Sequence, residues 1–338
     1  MLQNINSWPH PSSFQALALA GGGYRGLFTA RVLEQIENQI QEPIGRRFDL
    51  ISGTSIGGLI ALAIGFEVPM SQVVKIFQEE GPNIFPESRR SPQGWISKKW
   101  DYFSHRNKSR YSAEPLKVAI EKLIPKEKLL GDSKHALLIP AVNVTKGTLR
   151  IFKTPHSPHF FEDASRTACE VALATSAAPT YFPIAESKGE YFADGGMFAN
   201  APDMVVAHEA DYVFKVPANQ FKLLSIGTIN AGFAINKTTN KNFGILNWMD
   251  EGRLIDLAFG AQGDFVRQIM KHRFGDNYRL IDTHNINKNR ELQLDDTSES
   301  MTKFLMDCAD EVTSIALKSG LEKFIAHKPT IWRNNGQS

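Results

Sequence analysis

The sequence predicts an α/β fold: a central, mainly parallel sheet with crossover helices, and a helical elaboration at the C-terminal end. Three observations predict it. Residues 15–20 (QALALA) and 48–52 (FDLIS) are apolar runs of strand length, and each breaks into a glycine-rich turn. Each turn opens a helix-length segment: Leu27, Ala30, Val32, Leu33, Ile36 and Ile40 recur at helical spacing after the first, and 59–66 is an apolar helix after the second. Two strand–loop–helix units in the first 66 residues require parallel strands joined by crossover helices.

The remaining elements follow in order. Residues 71–80 read as a short amphipathic helix. Residues 83–111 lose periodicity and carry Pro86, Pro92, Gly94, Trp95 and Trp100, whereas 111–123 recover a helix through Leu116, Ala119, Ile120 and Leu123. Residues 136–144 and 148–154 alternate as neighbouring strands, and 167–178 form a small-residue helix ended by Pro179. A strand at 190–193 leads into the turn Asp194-Gly195-Gly196, and 221–227 is one more buried strand. Two long amphipathic helices are expected at about 247–274 and 299–326. In the second, Met301, Phe304, Leu305, Cys308, Val312, Ile315 and Ala316 make one stripe, and Asp296 with Glu299 resembles a capping box. With no repeat or linker, the chain divides into a core at 12–230 and a mainly helical extension at 231–338 packed on the same domain.

Composition narrows the function. A hydrophobic share of 42% and a charged share of 22% belong to a globular protein able to build a sizeable core. A formal net charge of +2 excludes wholesale binding of a nucleic acid polymer. Cys169 and Cys308 lie far apart among apolar neighbours, outside metal-ligand spacing, and read as reduced core residues. The N-terminal residues around Trp8 and Pro9 are polar, unlike a signal peptide. The longest near-apolar run, 59–68, falls well short of the roughly 18–20 residues of a membrane span. A cytoplasmic protein that reaches a membrane only peripherally is expected.

The most specific motif is Gly53-Thr54-Ser55-Ile56-Gly57, a G-x-S-x-G where a strand runs into a helix. Such a turn strains the serine backbone, and the flanking glycines let strand and helix approach. Ser55 then lies at a helix N-terminus, where developing negative charge is favoured. A plain glycine turn with an N-cap serine has the same letters; the strand-before, helix-after context favours a nucleophile. The second motif, Gly21–Gly26, offers consecutive backbone N–H donors suited to an oxyanion or a phosphate. It is a poor nucleotide loop: Arg25 is followed by Gly26, not by the Lys-Ser/Thr of a P-loop, and Asp49 begins the next strand instead of ending it. A serine nucleophile needs a base. Asp194 follows a strand, with Gly195 and Gly196 clearing space around it; an ordinary Asp-Gly-Gly turn is the alternative. His156 and His159 are the best-placed histidines, although surface loop residues are the plainer reading.

These motifs, in this order, together with the runs at 111–116, 141–153 and 174–182, resemble the patatin-like phospholipase family over about residues 15–230. The resemblance implies a three-layer fold with the sheet in the middle, in which Ser55 is the nucleophile and Asp194 takes its proton directly. It further implies an oxyanion hole built by Gly21, Gly22, Gly23 and Arg25, and hydrolysis of glycerophospholipid acyl esters through an acyl-serine, with no metal or cofactor. The two side chains, 139 positions apart, must then meet.

Chain length, the 151–154 run after Arg150 and the Gly-Thr-Ile-Asn exit at 227–230 resemble the bacterial cyclic-nucleotide-activated phospholipases of antiphage signalling. That resemblance implies a cyclic dinucleotide activator and no particular nucleotide-binding residues. Arg89, Arg90, Lys98, Lys99, Arg106, Lys108 and Arg110 against Glu87 and Asp101 give residues 87–110 a charge of +5, with Trp95, Trp100, Tyr102 and Phe103 interleaved. Such a segment suits a membrane–water interface, an anionic ligand or subunit contact, or plain structure. Other substrates (triglyceride or soluble esters) and a nucleotide-sensing, membrane-docking module with a vestigial dyad stay open. The apolar stripes of the C-terminal helices fit homo-oligomerisation and core packing equally.

Overall fold

The computed structural model describes residues 13–87, 108–229, 244, 248, 253–283 and 292–329. Its elements in chain order are β1 (Phe14–Leu19), α1 (Gly26–Ile40), β2 (Leu50–Gly53), α2 (Ile56–Gly65), α3 (Met70–Ile84), α4 (Glu114–Leu123), β3 (Leu137–Asn143) and β4 (Thr148–Lys153). There follow α5 (Ala168–Ser176), β5 (Ala185–Ser187), β6 (Glu190–Asp194), α6 (Gly196–Ala199), α7 (Asp203–Tyr212), β7 (Phe221–Ile226), α8 (Arg253–Phe274), β8 (Tyr278–Ile281), α9 (Glu299–Lys318) and α10 (Glu322–Ile325).

A strand covered on both faces needs apolar residues at nearly every position, and β1 (FQALAL) is buried throughout. It lies at the centre of a parallel set ordered β3-β2-β1-β7-β8. Alternation along the strands divides the core in two. Leu17, Leu19, Ile51, Leu137, Leu224 and Ile226 face one layer, built on α1 to α5 and α9. Phe14, Ala16, Leu50, Leu138 and Leu223 face the other, against α7 and α8. Three layers with the parallel strands inside are thus the observed architecture.

The site is positioned by β3. On one edge β3 pairs with β4 over Leu138–Asn143, antiparallel. Its other edge is shared: β2 pairs parallel at Leu137 and Leu138, and β6 pairs antiparallel at Ala141, Val142 and Asn143. Strands β2 and β6 therefore run head-on toward each other, and their carboxyl ends meet. The turn after β1 lies on the same side, because β1 and β2 are parallel and in register from Ala16↔Leu50 to Leu19↔Gly53.

The structure adds elements to those expected and shifts the bounds of others. The C-terminal region contributes a strand, β8, as well as helices, and β5 is a short edge strand that the sequence reading passed over. Helix α3 continues through Pro82 to Ile84, and α4 begins at Glu114, where Pro115 occupies the first turn that needs no N–H partner. The expected helix at 299–326 stops at Lys318, because Gly320 adopts φ 88°, and a separate short α10 follows. Its N-cap is Ser298, whose Oγ accepts the Met301 N–H at 3.3 Å; Asp296 instead accepts the Ser298 N–H at 2.9 Å. Cys169 is buried, Cys308 is half-buried, and neither is disulfide-bonded. The basic aromatic segment falls mostly on residues 88–107, outside the described residues.

Candidate active site

Strand β2 enters α2 through Gly53-Thr54-Ser55, and Ser55 sits at φ 55°, ψ −125°, a conformation side chains rarely tolerate. The turn is tight enough that a methyl at Gly53 would overlap the Gly57 carbonyl, and one at Gly57 would overlap the Leu19 carbonyl. Backbone cannot yield there, so both positions need glycine. Ser55 occupies the N-cap position of α2, yet its side chain caps nothing. Its Oγ donates instead to Asp194 Oδ2 at 2.6 Å.

Asp194 ends β6 with no exposed surface, and Gly196 N–H donates to its Oδ1 at 2.7 Å. Burial pushes its pKa up to about 6, against the opposing hydrogen bonds from Ser55 and Gly196. It is thus a stronger base than an exposed aspartate, already bonded to the hydroxyl it would deprotonate.

The loop after β1 lies beside Ser55. Gly21 N–H is taken by the Asn200 carbonyl at 2.9 Å, and the Gly21 carbonyl accepts from Thr228 Oγ1 at 2.9 Å. The N–H groups of Gly22 and Gly23 have no hydrogen-bond partner among the described residues. Gly23 adopts φ 56° and Gly22 is extended at φ 169°. Both line the cavity onto which Ser55 and Asp194 open. Its walls are otherwise almost wholly apolar, including Ile56, Leu59, Phe77, Leu116, Leu123 and Phe182. Arg25 stands behind the loop and outside the cavity lining. Its Nε donates to the Gly22 carbonyl at 3.4 Å and its Nη1 to the Leu292 carbonyl at 3.3 Å, with Asp256 4.0 Å away. Burial pushes the Asp256 carboxyl up to about 6, with Arg25 opposing.

The profile of the patatin-like phospholipase family matches residues 17–206. The chain belongs to the patatin-like phospholipase family. Membership makes it an enzyme of the lipid acyl hydrolase class. It is 36% identical to a cGAMP-activated phospholipase of Pseudomonas aeruginosa over 324 residues, 94% of this chain and 93% of the relative. It is 34% identical to a cGAMP-activated phospholipase of Vibrio cholerae over 76% of this chain and 77% of the relative. A cGAMP-activated phospholipase of Escherichia coli is also 34% identical, over 66% of this chain and 64% of that protein.

In this patatin-like phospholipase the histidine candidates lie away from the cavity lining. His156 is buried, with Nδ1 2.9 Å from Thr154 Oγ1 and Nε2 3.1 Å from Glu209 Oε1, and its ring stacks on Phe214. Burial lowers its pKa. It is a satisfied core residue, and His159 is exposed. Sequence reasoning missed three residues that shape the site: Thr175, Asn200 and Leu294. Thr175 lay inside a quoted run, but the backbone groups its hydroxyl meets come from distant segments. Leu294 holds the loop by a carbonyl, accepting the Tyr24 N–H at 2.7 Å, and no side-chain letter signals that.

Proposed function

We propose that this phospholipase cleaves the acyl esters of membrane glycerophospholipids through a Ser55–Asp194 dyad and an acyl-serine intermediate, under control of a cyclic dinucleotide. The observation that carries the dyad is the 2.6 Å bond from Ser55 Oγ to a fully buried carboxylate, beside two amides that have no partner among the described residues. Ser55 Oγ attacks the ester carbonyl as its proton passes to Asp194 Oδ2, and a tetrahedral oxyanion forms. Gly22 and Gly23 N–H, with the N-terminus of α2 at Ile56, hold that oxygen. Such donors each contribute roughly 3–4 kcal/mol in the transition state. Collapse expels the lysolipid alcohol, which takes the proton from Asp194; water then repeats the sequence in reverse and frees the fatty acid. Gly21 supports the loop through its bond to Asn200, and Arg25 orients it from behind.

The names of the bacterial relatives support the activator, and the apolar cavity supports an acyl substrate. Among the described residues no helix is long and apolar enough to cross a membrane. The same proposal takes the enzyme to act in the cytoplasm, peripherally at the inner membrane surface, and to assemble as a homo-oligomer through the apolar stripes of its C-terminal helices.

The test is product analysis on mixed phospholipid vesicles, with and without a panel of cyclic dinucleotides. Ser55→Ala and Asp194→Asn are each expected to cut turnover by at least about 10³-fold. Near-normal turnover in Asp194→Asn removes Asp194 from the mechanism. Strong hydrolysis without any nucleotide removes the activator.

A further inference from the structure

One three-residue segment touches the backbone of both dyad members. Ser55 N–H donates to Thr175 Oγ1 at 3.0 Å, and that hydroxyl donates onward to the Pro140 carbonyl at 2.6 Å. Asp194 N–H donates to the Ala177 carbonyl at 3.0 Å, and Gly195 N–H to the Thr175 carbonyl at 3.3 Å. Thr175 has no exposed surface, and its methyl packs close to Gly58 in the first turn of α2.

A hydroxyl carries one proton. Here that proton is committed to Pro140 on β3, so a lone pair is left facing Ser55 N–H. Pro140 is next to Ala141, the register partner of Asp194 on β3. The hydroxyl thus ties the strained elbow to β3, the strand against which the carboxylate-bearing β6 is paired, while the same segment's carbonyls hold that carboxylate's own backbone.

We propose that Thr175 is a positioning residue that sets the Ser55–Asp194 distance by clamping both backbones from one segment. The inference rests on the dyad reading above and names a residue that touches neither substrate nor reacting atom. Losing the hydroxyl frees the elbow to relax away from its strained angle, lengthening the bond between Ser55 and Asp194. Misplacement of that order costs about 100-fold in rate. Because that bond also holds the Asp194 carboxyl down, its loss moves the acid limb of the rate profile to higher pH.

The experiment compares wild type with Thr175→Val, which keeps the methyl beside Gly58, and Thr175→Ser, which keeps the hydroxyl. Each is measured as folded protein by circular dichroism, with vesicle hydrolysis and Ser55 labelling by a fluorophosphonate. The valine variant is expected to lose about 10- to 100-fold in kcat and labelling rate with KM little changed, its acid limb displaced upward. The serine variant stays within about threefold of wild type. Should Thr175→Val not fold, Thr175→Ala, which relieves crowding, carries the same expectation. A folded valine or alanine variant with wild-type kcat and an unmoved acid limb overturns the clamp. So does a serine variant as impaired as the valine one. Wild type that resists labelling, or Ser55→Ala that still hydrolyses lipid, sinks the dyad reading itself, and the clamp falls with it.

Discussion

Asp194 is asked to be buried and charged at once. Desolvation raises its pKa to about 6, against two hydrogen-bond donors, Ser55 Oγ and Gly196 N–H, that favour the charged form. In the proposed dyad the carboxylate form is the competent one, so kcat/KM is expected to fall as pH drops through about 6 and to level off above it. For stability the sign is opposite. A folded-state pKa above that of an exposed aspartate means the carboxyl favours folding fully while protonated, below about pH 4. That advantage is lost as pH rises through 6, on the order of 3 kcal/mol by neutral pH. Asp194→Asn, inactive but never charged, is therefore expected to unfold at higher temperature than wild type at pH 7.5, with the gap closing near about pH 4. Thermal denaturation at the two pH values checks it, and equal midpoints at pH 7.5 would contradict the burial argument. Taken alone, the Asp-Gly-Gly turn fits a turn aspartate or a base equally, and only the ordered motifs of the family resemblance favour the base; its depth and its donors are what the structure adds.

At the scale of elements, the cavity wall is a packing consequence. Leu116, Ala119 and Leu123 fall at i, i+3 and i+7 on α4, so they form one stripe about 10 Å long beside Phe77 and Ile84 of α3. Ala119 is the small residue in the middle of that stripe and leaves width for an acyl chain. Ala119→Phe is expected to reduce hydrolysis of long-chain esters at least about tenfold while sparing short-chain ones, a loss of fit worth about 1.4 kcal/mol or more. A chain-length series read by fatty-acid release tests it; equal loss at every length would place the acyl chain elsewhere. The helix itself was legible from its periodicity, and so were β1, α1, β2 and α2, because glycine turns and apolar spacing are local signals. The missing β8 has a physical cause. Short segments such as Tyr278–Ile281 carry too few residues to show a period, and the sheet edge beside β7 recruits them.

Across the whole molecule, the segment 292–297 joins the glycine loop to the rim of the cavity. Leu294 and Leu292 supply carbonyls to Tyr24 and Arg25, Thr297 Oγ1 donates to the Phe85 carbonyl at 3.4 Å, and Asp295 accepts from Tyr111 OH at 2.6 Å. Burial and the neighbouring Asp295 push the Tyr111 phenol up, keeping it a donor. Asp295→Ala leaves that buried hydroxyl without its acceptor and is expected to destabilise the fold by about 1–3 kcal/mol. Turnover is expected to fall with it, because the loop loses its support; chemical denaturation alongside vesicle hydrolysis measures both, and unchanged values in both would detach the segment from the site. By itself the sequence determined the parallel strand–turn–helix start, the strained serine turn, the glycine loop and the Asp-Gly-Gly turn. Each is written in residues adjacent in the chain, through glycine's backbone freedom and the spacing of apolar side chains. Only the tertiary structure decided that β2 and β6 share one edge of β3, which brings Ser55 to Asp194. It likewise decided that Asn200 takes the Gly21 amide while Gly22 and Gly23 stay unpartnered among the described residues. Strand pairing and desolvation are properties of segments distant in the chain, so no local pattern of letters can encode them.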